Sequence, residues 1–426
     1  MIAILLISVI HGELENGLDY YLWPEHKIPM VEIRFIIESG SIYDPDSLWG
    51  LAYLTHRMLE RGVEGYSYLE LRNEVERLGA RLSFRTGREY LLIQSRCLSR
   101  NLDKMLKLIA LLILKPTFPE SELEKLKTEV YGQIKSQDDD PFMLGFNQFY
   151  RTLYQSHPLG HRVQGEEETI QPIQRQDLLS HYNENYLPDR SALVMVGDFD
   201  TTAVKSAIDI LFGNWLSKER KNIEKTKTFD SLRLAVVYRD LSQVYIFYGN
   251  QGISRLDSRF FPTRIGNFIL GGSGLTSRIA TRIREEAGLA YIASSWVRSG
   301  IYDHPFIAMV QTKVDSGVAA FRRLKEEIEC AMAGISTEEI ERARSYYLGH
   351  LPLTYDTYRE RADILVAIHR FDLGLDYLDR VPDMVRSVGK KEVESALRDV
   401  LAQGFVLVVV GPVTEEEVRY WISQRR

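Results

Sequence analysis

The chain has 426 residues, 45% hydrophobic and 26% charged, which is a soluble globular composition with material for roughly two to three domains. A net charge of −6 and the absence of a Lys/Arg-rich run exclude nucleic acid as the expected partner. Cys97 and Cys330 are too few for a disulfide framework or a metal quartet, and both are expected as buried thiols.

Met1–Ile10 (MIAILLISVI) is apolar but lacks a basic leader and a small-x-small cleavage site, and is too short to span a bilayer. A native strand and the core of an export signal both remain open, and with them a cytoplasmic or a periplasmic location. Met30–Ser39 alternates as a strand. Leu48–Gly62, Ser67–Leu78, Asn101–Leu114, Ser121–Ser136 and Gln174–Tyr186 read as helices, and Gly79–Cys97 as a hairpin. Residues 192–198 (ALVMVGD) form a strand ending in a Gly turn, followed by a helix at Thr202–Phe212. Trp215–Asp230 is polar and charged and reads as a linker.

The second half repeats this plan. Gln243–Gly249, Ala290–Val297 and His304–Val314 read as strands. Arg259–Ile269, Ser277–Glu286, Ser316–Ala333 and Glu338–Tyr347 read as helices. Residues 406–412 (VLVVVGP) lead into a helix at Glu415–Ser423. Leu193, Val196 and Gly197 align with Leu407, Val410 and Gly411, about half the chain away. The expected class is α+β, with related domains at 1–216 and 230–426 and a linker at 217–229.

Within the first helix, Gly50–Gly62 reads GLAYLTHRMLERG. It resembles the zinc-binding helix of the pitrilysin-type peptidases, which include insulin-degrading enzyme and the mitochondrial processing peptidases. That helix has the form G-[LI]-A-H-x-x-E-H-M-L-x-x-G. Gly50, Leu51, Ala52, Met58, Leu59 and Gly62 match, whereas the two ligand histidines fall on Tyr53 and Arg57 and the general-base Glu on His56. The third ligand, a Glu on a later helix, falls on Gln133 at the family's usual spacing. Histidines at i and i+4 can share a metal. A phenol stays protonated near neutral pH, a guanidinium has no lone pair to give, and an amide oxygen is weaker than a carboxylate. The replacement of all three ligands and the base implies no metal in this chain. His56 and Glu60 would be a relocated i, i+4 pair, but no third ligand is visible.

The resemblance extends to Glu15-Asn16-Gly17 (a first hairpin turn), Asp140-Pro141, His157-Pro158-Leu159-Gly160 and Tyr182–Asp189. It implies two homologous α+β halves enclosing a cavity. His157 and His161 stand at i and i+4, but Pro158 and Gly160 between them argue for a loop and a structural role.

Residues 270–291 (LGGSGLTSRIATRIREEAGLAY) resemble the family's G-G-x-x-S-R-L…R-E-x-x-G-L-A-Y segment, whose Arg and Tyr reach the substrate backbone. Here they are Arg284 and Tyr291, both intact. Arg offers fixed donors to a carbonyl, and Tyr donates to a carbonyl or a developing oxyanion. Gly271, Gly272 and Gly274 lack the phosphate-loop pattern and suit a tight turn or a peptide-contacting loop. Some relatives divide labour between two similar chains, one carrying zinc and base, the other the Arg/Tyr pair. The resemblance therefore implies a non-catalytic, substrate-binding subunit paired with a homologous zinc-bearing subunit. The alternative is a structural or peptide-binding protein with no role in hydrolysis.

Overall fold

The computed structural model describes residues 8–219 and 222–423. Most of the apolar stretch Met1–Ile10 lies outside the described residues, and the first strand begins at its last residue.

In chain order the first part contains β1 (Ile10–Glu13), β2 (Asp19–Pro24), β3 (Met30–Ile37), α1 (Leu51–Met58), β4 (Gly62–Val63), β5 (Tyr66–Ser67), α2 (Tyr68–Arg77), β6 (Arg81–Thr86), β7 (Leu91–Leu98), α3 (Leu102–Leu114), α4 (Glu120–Asp139), α5 (Pro141–Tyr154), α6 (Glu167–Ile170), α7 (Arg175–Asn185), β8 (Ser191–Gly197) and α8 (Thr201–Phe212). The described residues of 217–229 form neither helix nor strand. There follow β9 (Arg233–Tyr238), β10 (Gln243–Gln251), α9 (Phe260–Asn267), β11 (Ala290–Val297), β12 (Pro305–Lys313), α10 (Gly317–Ala333), α11 (Thr337–His350), α12 (Tyr358–Arg370), α13 (Tyr377–Ser387), α14 (Lys390–Leu401), β13 (Val406–Gly411) and α15 (Glu415–Ser423).

Two larger sheets carry the architecture. The first has the order β1-β2-β8-β3-β7-β6 and the second β11-β12-β10-β13-β9. Apart from β1, these are one topology written twice. In each, a parallel pair (β2–β8 or β9–β13) is followed by antiparallel strands to the edge. This is the internal repeat anticipated from the two Gly-ended strands, which are β8 and β13. In β3, Val31, Ile33, Phe35 and Ile37 face the core formed with α1 and α3, as strand alternation requires. The β1–β2 turn passes through Asn16 and Gly17, the latter at φ +88°. Asn16 donates its amide to the carbonyls of Phe212 and Trp215, terminating α8.

The chain forms two compact units that do not coincide with its two sequence halves. The first comprises residues 1–134, 161–223 and 351–379; the second comprises 135–160, 224–350 and 380–426. Thus α5 packs on β13, β10 and β9, while α12 packs on β8 and β3. α5 is well specified locally: Asp140 caps Phe142 N and Met143 N, and Pro141 occupies the first turn. Cys97 is buried as expected, and burial pushes its thiol up to about 12. Cys330 is not: it lies on an outward position of the amphipathic α10 and is exposed.

Candidate functional site

The first candidate lies in the first unit, on α1 and α4. The start of α1 is held by Asp44, whose carboxylate accepts from Gly50 N (2.8 Å) and Ala52 N (2.7 Å). Burial raises the Asp44 carboxyl well above its ordinary value, with these two donors pulling the other way. Gly50 sits at φ +96°, and a Cβ there would stand 2.4 Å from Gln164 O, so the Gly that opens the motif is required by backbone shape. Leu51, Leu54 and Met58 bury one face of α1. Tyr53 and Arg57, one turn apart, remain half-buried on another.

The three positions that correspond to zinc ligands meet. Tyr53 Oη donates to Gln133 Oε1 at 2.8 Å, and Arg57 Nη1 donates to Tyr53 Oη at 3.4 Å. Arg57 Nε donates to Glu60 Oε1 at 3.2 Å. Burial works against the Arg57 charge, but Tyr53 and Glu60 outweigh it and hold the guanidinium above its ordinary pKa. A zinc ion does not fit this donor set. The oxygen of Gln133 is engaged by the phenol, and the third position is a cation without a lone pair. Among the described residues, no group of three or more His, Cys, Asp or Glu could hold a metal ion.

His56 points elsewhere. It is fully buried, with Nδ1 3.0 Å from Thr86 Oγ1 and Nε2 3.4 Å from Ser39 Oγ. Burial, aided by the neighbouring His181, pushes its pKa well below the ordinary value, so it is neutral at pH 7. The relocated His56/Glu60 pair does not form, because Glu60 is bound to Arg57. His161 is a buried structural residue as the sequence suggested: it stacks on Trp49 and lies 2.8 Å from Ser41 O and 2.9 Å from Arg162 O. Burial takes its pKa down to about 4. His157 bonds to Glu224 O and Leu159 N.

The second candidate lies in the second unit. After α9 the backbone widens into a π-type turn at Phe268–Gly272, and a second π-type helix, Ala280–Glu286, carries Arg284. Such widened turns are rare and cluster at functional sites. A Cβ on Gly271 would lie 2.4 Å from Ser295 N, so the loop closes against β11 only as glycine. Gly272 packs on Asn267, and Gly274 turns at φ +66° into open space, leaving Leu275 exposed. Arg278 anchors the far side of the loop on Glu339 through bonds of 2.6 and 2.7 Å. Arg278 holds the Glu339 carboxyl down to about 2.

Tyr291 is the extra residue of a bulge: Ala290 pairs with Thr312 and Ile292 with Gln311, leaving Tyr291 unmatched. A bulge re-aims a side chain, and Tyr291 is 75% exposed. The Arg284 guanidinium lies over its ring at 5.2 Å. The pair offers N–H and O–H donors to a carbonyl-bearing ligand and contains no nucleophile or general base. A depression of about 210 Å³ beside the Gly loop is lined by Phe268, Ser273, Thr276, Arg342 and Tyr346 among others. It had no signal in the sequence, because α11 brings Arg342 and Tyr346 from far along the chain.

Residues 23–167 match the family described as Insulinase (Peptidase family M16), and residues 172–347 match that described as Peptidase M16 inactive domain. The chain belongs to peptidase family M16. This M16 chain is 24% identical over 410 residues to an "Uncharacterized zinc protease" of Rickettsia bellii, covering 94% of this chain and 97% of the relative. It is 23% identical over 397 residues to a "Non-peptidase homolog YmxG" of Helicobacter pylori, covering 92% and 91%. The crystal structure of a peptidase M16 inactive domain from Pseudomonas fluorescens superposes with a TM-score of 0.89 at 24% identity, covering 95% of this chain and 98% of that one. A protease from Helicobacter pylori superposes with a TM-score of 0.87 at 18% identity, covering 95% and 99%. The M16 chain has the pitrilysin-like fold of these neighbours. Among the described residues, no helix is long and apolar enough to cross a membrane.

Proposed function

We propose that this chain is a non-catalytic, substrate-positioning subunit of a heterodimeric zinc peptidase that cleaves peptides or unfolded segments. A homologous partner brings the zinc and the base, and Arg284 and Tyr291 of this chain hold the substrate backbone. The observation that carries this reading is the Tyr53–Gln133–Arg57 hydrogen-bonded set at the three ligand positions. Half-buried Arg284 and exposed Tyr291, stacked as a donor pair, support the role in substrate binding.

The test is hydrolysis of an unstructured fluorogenic peptide by this chain alone and mixed with a zinc-motif homologue from the same source, with and without chelator. Chelator-sensitive activity is expected only in the mixture. Tyr291→Phe or Arg284→Ala should lower it by about 100-fold, the cost of losing one donor to a developing oxyanion. Unchanged turnover with both variants would sink the positioning role. Activity from this chain alone would overturn the non-catalytic reading. The "Non-peptidase homolog" name of the Helicobacter relative favours a second reading, peptide binding without hydrolysis. That reading predicts a stable complex with no activity in the mixture.

A further inference from the structure

We propose a separate binding site on the first unit, formed by the outer face of β3, β7 and β6 beside α12, that takes an acidic segment of a peptide. Strand alternation turns the core residues of β3 and β7 inward and leaves Glu32, Arg34, Gln94 and Arg96 on the opposite face. The register then builds two rows. Arg81 lies across from Arg96, which lies across from Glu32; Ser83 lies across from Gln94, which lies across from Arg34. With strands about 4.8 Å apart, the three-strand platform is about 10 Å wide. α12 packs on β3 and β8 and brings Arg359 to its margin. The resulting depression of about 220 Å³ holds four arginines and one carboxylate.

Two of these arginines are already committed. Arg34 bonds to Glu32 and Asp363, each at 2.8 Å, and Arg96 bonds to Glu32. Among the described residues, Arg81 and Arg359 have no ion-pair or hydrogen-bond partner. Arg81 also faces Arg96 directly, and like charges opposite each other on neighbouring strands repel. A chain of net charge −6 thus carries a local excess of guanidinium donors, two of them on the exposed side chains of Arg81 and Arg359 and free to pair with an anion. The ligand class follows from the adjoining depression of about 450 Å³. It shares Glu32, Arg96 and Arg359, adds the apolar surfaces of Ile28, Met30 and Tyr358, and is lined also by Asp356 and by Glu25, which is paired with Lys27 and Arg361. A chain that alternates apolar and carboxylate side chains fills both depressions, whereas a compact phosphate fills neither. Arg clusters are a common means of reading acidic motifs.

The experiment is fluorescence anisotropy of the full chain with a labelled peptide of Leu-Glu repeats and, separately, of Leu-Lys repeats. Saturable binding of the Glu peptide is expected, weakening with added salt. Arg81→Ser and Arg359→Ser should each weaken it by about tenfold, whereas Arg419→Ser, which removes a surface arginine paired with Glu415 on α15, should leave it unchanged. Melting temperature supplies a second readout. Arg81→Ser should melt at the same temperature or higher, because the repulsion with Arg96 is gone. Equal binding of the Lys peptide, or undiminished binding by both Arg variants, overturns the proposal. So does an Arg81-dependent affinity for inorganic phosphate without affinity for the Glu peptide.

Discussion

Three side chains decide what the α1 helix can do. Tyr53, Arg57 and Gln133 were legible in the sequence because helical i, i+4 spacing and the surrounding Gly-Leu-Ala and Met-Leu frame fix their positions. The structure brings all three together. Glu60, which neutralises Arg57, and Ser39 and Thr86, which enclose His56, were not anticipated. Their roles depend on which face of the helix is buried and on contacts from other strands. The residue-scale prediction follows from charge and lone pairs. The triple variant Tyr53→His, Arg57→His, Gln133→Glu should retain about one zinc per chain after dialysis, read by elemental analysis. The double variant that keeps Arg57 should retain none, because a fixed cation stands at the third position. The triple variant should still fail to hydrolyse peptide, since His56, which stands at the general-base position, is buried with both ring nitrogens turned to Thr86 and Ser39 instead of toward this site. Stoichiometric zinc on the unaltered chain would refute this account.

At the scale of elements, periodicity located the long helices and alternating strands well. The predicted Glu415–Ser423 and Ala290–Val297 coincide with α15 and β11. The segments not anticipated include α5 and α12, the two helices that pack on sheets drawn largely from the other half of the sequence. An apolar stripe tells a helix to bury a face but not which sheet will receive it. The receiving surface for α5 is specific. Phe142 lies 5.6 Å from the Phe247 ring, and Gly145 lets the helix approach so closely that an added Cβ would meet Phe247 at 2.2 Å. Gly145→Ala should therefore destabilise the protein by about 1–3 kcal/mol, the usual cost of overpacking, despite the better helix propensity of Ala. Urea denaturation measures this directly. A stabilised Gly145→Ala variant would mean that α5 does not seat on β10 this closely.

For the whole molecule, the composition of the two units makes a prediction that the sequence repeat alone would not. Reading the repeat as two domains divides the chain within 217–229, and on that reading residues 1–216 and 230–426 should each fold alone. The units as built disagree. Residues 1–216 lack α12, whose Leu365, Val366 and Ile368 are buried and whose Asp363 pairs with Arg34. Burying three such side chains contributes roughly 6 kcal/mol, comparable with the total stability of about 5–15 kcal/mol of an ordinary domain. Losing Asp363 also removes one partner of the almost fully buried Arg34 guanidinium. Residues 230–426 in turn lack α5, with Phe146, Phe149, Tyr150 and Leu153 buried against the second sheet. Each fragment alone should therefore show weak, non-cooperative unfolding by circular dichroism. Co-expressed fragments should co-purify and regain a cooperative transition, because each supplies the helix the other unit needs. A fragment 1–216 that unfolds cooperatively with the stability of the full chain would show that α12 is dispensable and that the repeat boundary is also the folding boundary.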